Sequence, residues 1–234
     1  IGHFDENLNA SYVVVPEGVK SISDDAFSLC TGLKGIELPD TLESIGANVF
    51  FDCTQLTDIE LPEGLESIGN GAFNACSSLR KIAIPASVKT IGDRAFSGCG
   101  MLGEVSLADG VCTIGSRAFD DCIRLKEIDL PASLTGLSND TFINCEELTA
   151  INVDDYNTTY CSIDGLLYTK DRTVLINKPI KAKSFSIAET LVKIEDYACY
   201  KAFPAQIRIK NLELPDGITK IGAQSFDENI YLKN

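Results

Sequence analysis

Tryptophan is absent from the chain, and histidine occurs once, as His3. The first absence argues against a lectin that stacks sugar rings on indoles. The second removes most histidine-based catalysis and most zinc sites, because imidazole is the usual base near neutral pH and a principal zinc ligand. Positive charge is scarce: 20 Lys and Arg against 34 Asp and Glu leave a net charge of −14 and a pI near 4.4. Nucleic acid and anionic membrane both demand clustered cations, so neither is expected as a partner. No run approaches the ~18 apolar residues of a membrane span, and no membrane insertion is expected. There is no Gly-x-Ser-x-Gly elbow, no Gly-rich phosphate loop and no Cys-x-x-Cys pair. The common nucleophilic, nucleotide and zinc motifs are thus missing, and no cofactor is expected. The chain opens at Ile1 without a basic and then apolar leader. It reads as a mature or trimmed chain, with room for a removed signal peptide or anchor.

What is present is regular. The 234 residues are 44% hydrophobic and 23% charged, ordinary values for a chain that builds a core. Phe27, Phe50, Phe73, Phe96, Phe119 and Phe142 stand 23 residues apart, and Cys30, Cys53, Cys76, Cys99, Cys122 and Cys145 keep the same step. Further columns run from Leu33 to Leu148, from Pro16 to Pro131 with Ala108 as the departure, and from Ile22 to Ile114, continued by Leu137. Agreement of several columns identifies a repeat protein.

Within one unit, Ile36 and Leu38 alternate with exposed positions, as in a short half-buried strand. Pro39 cannot donate to a ladder and ends it. Phe50 and Cys53 lie three apart, so the spacing predicts a single helical turn that points both inward. Leu42 and Ile45 fit either an extended or a turn-like segment. So small a unit cannot bury its own apolar face; stacked neighbours do it. The cysteine column reads as reduced core packing. Equivalent residues in stacked coils lie about 4.8 Å apart, wider than the ~3.8 Å between the Cβ atoms of a disulfide. Cys161, off the column, is the candidate reactive thiol.

The register breaks after Asn152. The run from Tyr160 to Tyr168, the polar link from Thr169 to Arg172 and the run from Thr173 to Ile176 read as a β-hairpin. The pattern then resumes, with Cys199 in place of a phenylalanine, and is complete again from Leu212 to Phe226. The reading is one solenoid domain over residues 1–234, with regular repeats over about 13–152, a hairpin-containing insertion over about 154–183 and resumed repeats over about 184–230.

The exposed strand column is Val14, Glu37, Glu60, Ala83, Ser106, Asp129 and Asn152. Glu37 and Glu60 are expected side by side, with Asp58 next to them and Lys34 and Arg80 flanking. Tyr12, at the N-terminal end of this face, is the aromatic anchor. Adjacent carboxylates suit calcium or a glycosidase pair, but a solvated sheet face accounts for them and no metal site is assigned. Tyr12, Lys34, Glu37, Asp58, Glu60, Arg80 and Asp129 form the candidate partner face, because a flat repeat-built surface offers area without a deep pocket. Sequons at Asn9, Asn139 and Asn157 are no more than chance supplies.

The run Leu-x-x-Ile-x-Leu-Pro-x-x-Leu-x-x-Ile-Gly-x-x-Ala-Phe-x-x-Cys resembles the BspA-type leucine-rich repeat, as does the inserted Ser162-Ile163-Asp164-Gly165-Leu166-Leu167-Tyr168 with Leu175-Ile176. The resemblance runs from Val13 to Phe226. It implies an α/β repeat solenoid: a right-handed leucine-rich-repeat stack with a parallel β-sheet on one face and short helical turns on the other. It also implies a cell-surface or secreted protein of a host-associated microbe, some relatives being adhesins for extracellular host proteins. The expected function is a non-enzymatic, monomeric protein-binding module. A structural spacer carrying other domains away from the envelope is the alternative, and a hydrolase using acidic residues is a remote third. One departure is plain. The asparagine-ladder position of the commonest leucine-rich class holds Gly18, Thr41, Gly64, Ser87, Gly110 and Ser133, so the turn backbone there must be satisfied differently.

Overall fold

The computed structural model describes residues 11–182, 187–203 and 212–229; His3 and Asn9 lie outside them. Each 23-residue unit is one coil, and neighbouring coils stack in parallel register. Ile36 lies beside Val13, Ile45 beside Ile22, and Ile68 beside Ile45. The predicted strand is present as three parallel pairs: Tyr12–Val14 with Gly35–Glu37, Lys81–Ile84 with Glu104–Leu107, and Glu127–Leu130 with Ala150–Val153. Its side chains alternate as the pleat requires, Ile82 and Ile84 inward and Lys81 and Ala83 outward. The longest sheet lies elsewhere. Two-residue strands at Ser21–Ile22, Ser44–Ile45, Ser67–Ile68, Thr90–Ile91, Thr113–Ile114 and Gly136–Leu137 form six continuous parallel rungs. Ile45 is therefore extended, while the N–H of Leu42 closes a turn on the Pro39 carbonyl at 3.1 Å.

The expected helical turns do not form; no helix occurs among the described residues. The reason lies in the backbone. Asp25 and Leu29, Asn48 and Asp52, and Arg117 and Asp121 all have φ between 52 and 63°. A left-handed residue at every fourth position interrupts a right-handed helix. Alternate N–H groups consequently leave their own coil: Asp25, Phe27 and Leu29 donate to the carbonyls of Ala47, Val49 and Phe51 in the next one, at 2.7–2.9 Å. Those of Ala26, Ser28 and Cys30 close local turns. Phe27 and Cys30 still point inward, through turns and not through a helix.

Inside, the rings from Phe27 to Phe142 form one column with centroids 5.1–5.9 Å apart and planes within 19°. The cysteine column is free of disulfides. Its thiols do more than fill space. Those of Cys53, Cys76, Cys99, Cys122 and Cys145 donate to the Phe27, Phe50, Phe73, Phe96 and Phe119 carbonyls of the preceding coil at 3.1–3.3 Å. Each carbonyl also receives the N–H of the cysteine in its own coil, as Phe50 does from Cys53. Asn229 replaces the thiol in the last described coil, its amide donating to the Cys199 carbonyl at 2.8 Å.

At two of the asparagine-ladder positions a hydroxyl from the next coil satisfies the turn backbone. Ser133 Oγ accepts from the Gly110 N–H and donates to the Val111 carbonyl, each at 2.8 Å, and Thr41 does the same for Gly18 and Val19. A side chain at Gly110 would bring Cβ within 1.9 Å of the Ala86 carbonyl, so this position must carry glycine. Ser87 holds the equivalent place, but its Oγ has no partner.

The insertion is a three-stranded antiparallel meander, Tyr160–Ile163, Leu166–Thr169 and Val174–Asn177, and not the single hairpin expected. The extra turn is Asp164-Gly165, both at positive φ as a two-residue hairpin link prefers. Its last strand pairs in parallel with Lys193–Ile194 and so rejoins the stack. Leu167 and Ile176 pack into the core that begins at Val15, whereas Leu166, Tyr168 and Leu175 pack with Leu191, Ile194 and Cys199. Alternation along a strand sends neighbours to opposite sides, and the meander is thus a wall buried on both faces.

Candidate partner-binding face

Register alone brings the exposed residues of the first strand together. Tyr12 pairs with Gly35 and Val14 with Glu37. Because Gly35 has no side chain, the Tyr12 ring lies over it, 3.0 Å from where a Cβ would stand. Tyr12 is 58% exposed, and its hydroxyl reaches Glu37 Oε2 at 3.4 Å. One coil on, Asp58 and Glu60 are exposed and Asp58 meets Lys81 Nζ at 3.5 Å.

The ladder is interrupted here. Residues 58–61 form no strand, and among the described residues their backbone N–H groups make no hydrogen bond within the chain. On this side of the stack the links across the coil are the Thr57 N–H to the Lys34 carbonyl and the Arg80 N–H to the Thr57 carbonyl, long at 3.4 and 3.3 Å. An open hollow lies on each side of this segment. One, of about 540 Å³, is lined by Tyr12, Lys34, Glu37, Asp58 and Glu60 among others. The other, of about 930 Å³, shares Asp58 and Glu60 and extends over Lys81, Ala83, Glu104 and Ser106.

The structure therefore gathers five of the seven expected residues. Arg80 and Asp129 are exposed on the same side of the stack but line neither hollow, and Asp129 instead accepts from the Asn152 amide at 2.8 Å. The sequence reading missed Lys81, Glu104, Lys126 and Glu127, which line the larger hollow. A usable signal was there: exposed chain length drops from Glu60 to Ala83 and Ser106, and a column that shortens over two coils leaves a depression. The broken ladder has no residue signature.

Elsewhere, the chemical candidates weaken. Cys161 is half-buried, donates to the Thr169 carbonyl at 3.3 Å, and burial pushes its thiol above the ordinary value, against a reactive thiolate. Asn157 is only 1% exposed and its amide is spent on the Pro131 and Leu134 carbonyls, so its sequon is not accessible in the fold. Among the described residues no group of three His, Cys, Asp or Glu is placed to hold a metal ion, and no helix is long and apolar enough to cross a membrane.

The profile of the family described as BspA type leucine rich repeat region matches in six copies, over residues 2–111, 90–165 and 176–234. A search of curated protein sequences gives no match. Among solved structures, the pneumococcal vaccine antigen PcpA superposes with a TM-score of 0.81 over 99% of this chain and 62% of its own, at 23% identity. A leucine rich cell surface protein from Faecalibacterium prausnitzii gives 0.73 over 95% of this chain and 68% of its own, at 26% identity. A leucine rich repeat protein from T. pallidum gives 0.59 over 61% and 69%, at 38% identity. The chain spans less than two thirds of the pneumococcal antigen's length.

Proposed function

The chain belongs to the BspA-type leucine-rich repeat family, and from that premise we propose that it is a non-enzymatic, surface-exposed or secreted module that binds a protein partner through the face bearing Tyr12, Glu37, Asp58 and Glu60. The observation that carries the reading is the pair of open hollows around residues 58–61. They give the face relief and free polar groups without enclosing a cavity in which a small substrate could be desolvated. The similar Faecalibacterium protein, called a cell surface protein, supports the location. A passive spacer needs no such relief, so the hollows favour binding over that alternative.

The experiment is a binding screen against defined extracellular matrix and serum proteins by biolayer interferometry, with Glu37→Lys/Glu60→Lys as the paired variant. A partner should bind the parent chain and lose about tenfold, near 1.4 kcal/mol, on the variant. Equal affinity for both would move the site off this face. No partner at all would favour the spacer.

A further inference from the structure

Three ladders of hydrogen bonds run along the stack, and all of them stop at the same coil. On the turn side, Arg94, Phe96 and Gly98 donate to the Ser116, Ala118 and Asp120 carbonyls of the next coil at 2.8 Å. Phe119 and Asp121 continue to Thr141 and Ile143 at 3.0 and 3.1 Å. Among the described residues, however, the N–H groups of Phe142 and Asn144 donate to nothing in the chain. The six-rung sheet ends at Gly136–Leu137, and the column of thiol bonds ends at Cys145.

A second set begins beyond this coil. The three strands of the meander, Lys193–Ile194 and Lys220–Ile221 form one continuous five-stranded sheet. The turn rungs also return, Tyr197, Cys199 and Lys201 donating to Ala223, Ser225 and Asp227 at 2.8–3.1 Å. Between the two sets, among the described residues, the main chain is joined at two points. The Ile151 N–H reaches the Gly165 carbonyl at 2.9 Å, and the Lys181 N–H reaches the Leu148 carbonyl at 2.8 Å. Side chains add the Tyr160 hydroxyl on the Thr135 carbonyl, Lys201 Nζ on Asn144 Oδ1 and the Lys181–Glu147 ion pair. Otherwise the seam is apolar: Tyr160, Leu167 and Ile176 lie in the same buried cluster as Leu148 and Ile151. The connecting residues 154–159 are fixed to the earlier coils, because the Asn157 amide donates to the Pro131 and Leu134 carbonyls. Segments that open below the global transition are contiguous hydrogen-bonded motifs, and a stack parts at its weakest interface.

We propose that the meander and the described coils after it open as one body along the seam at Ile151, turning about residues 154–159, while the coils from Tyr12 to Val153 stay folded. The stack is then two bodies on a hinge and not one rod. The face bearing Tyr12, Glu37, Asp58 and Glu60 lies wholly on the first body and is untouched by the opening.

The test is hydrogen exchange read by mass spectrometry on the full chain, in urea below its main unfolding transition. Peptides over residues 166–177 and 193–201 should lose protection together, with one urea dependence, while those over residues 90–137 stay protected. The change should fall as a step between residues 153 and 160. Ile176→Ala takes packing from the seam. It should speed exchange over residues 166–177 and 193–201 at least about tenfold, with less than about twofold change over residues 90–119. A variant whose second body is already open while the first stays protected supports the proposal equally. Protection that falls coil by coil from Phe226 inward, with no step, overturns it. So does an Ile176→Ala variant that loses protection, or unfolds, throughout.

Discussion

Ser133 and Ser87 occupy equivalent places two coils apart, yet one hydroxyl makes two hydrogen bonds and the other none. Ser133→Ala should lower stability by about 1–2 kcal/mol, because the Gly110 N–H and the Val111 carbonyl are left part-buried without a partner. Ser87→Ala should change it by less than about 0.5 kcal/mol. Urea denaturation of the two variants checks this directly, and equal losses would mean that the hydroxyl bridge is incidental. The thiols make a second residue-scale prediction. Burial pushes Cys53, Cys99 and Cys199 up to about 12, Cys76 and Cys145 further, and Cys122 well above its ordinary value. In the unfolded chain they titrate near 9, so the stability they provide is whole below pH 9 and is lost as pH rises through the window from 9 to 12. Lys178, lowered to about 8 by burial, acts in the opposite sense up to its ordinary value of 10.5, but it is one group against six. Net stability should fall on the order of 5 kcal/mol between pH 9 and 10, read from urea midpoints under reducing conditions. A flat profile there would mean that the thiols are solvated.

At the scale of elements, the columns of Phe, Cys, Leu and Pro were legible because identity repeats where packing repeats. The backbone between them was not. A two-residue strand such as Ser44–Ile45 is too short to show alternation, so the six-rung sheet left only the column from Ile22 to Leu137, with no sign that its backbone is extended. Spacing of three between Phe50 and Cys53 is shared by a helical turn and by a tight turn with left-handed residues, and side-chain spacing cannot tell them apart. Asp164-Gly165 was readable as a turn, but the apolar residues on both sides made one run of what are two strands. The candidate face was legible as far as register goes, which placed Glu37, Asp58 and Glu60; the interruption of the ladder beside them has no counterpart in residue identity. Gly165 tests the meander. Its φ is +82°, and a Cβ would stand 2.9 Å from that of Ala150. Gly165→Ala should therefore cost about 1–3 kcal/mol in thermal or urea unfolding. A neutral result would mean that the turn can re-form in another geometry.

Across the whole molecule, labour is divided between an interior that holds the coils together and a solvated face. Phe73 and Phe96 lie mid-column, fully buried between the rings of Phe50 and Phe119, while Glu37 and Glu60 touch mainly water. In a stack where each coil contacts chiefly its neighbours, a void at the middle weakens the links on both sides. The most direct test is urea unfolding of Phe73→Ala beside Glu37→Lys/Glu60→Lys. The first should lose about 3–5 kcal/mol or break into two transitions, and the second should match the parent within about 0.5 kcal/mol. Comparable destabilisation by the two would contradict the account, because the carboxylates would then be part of what holds the stack together.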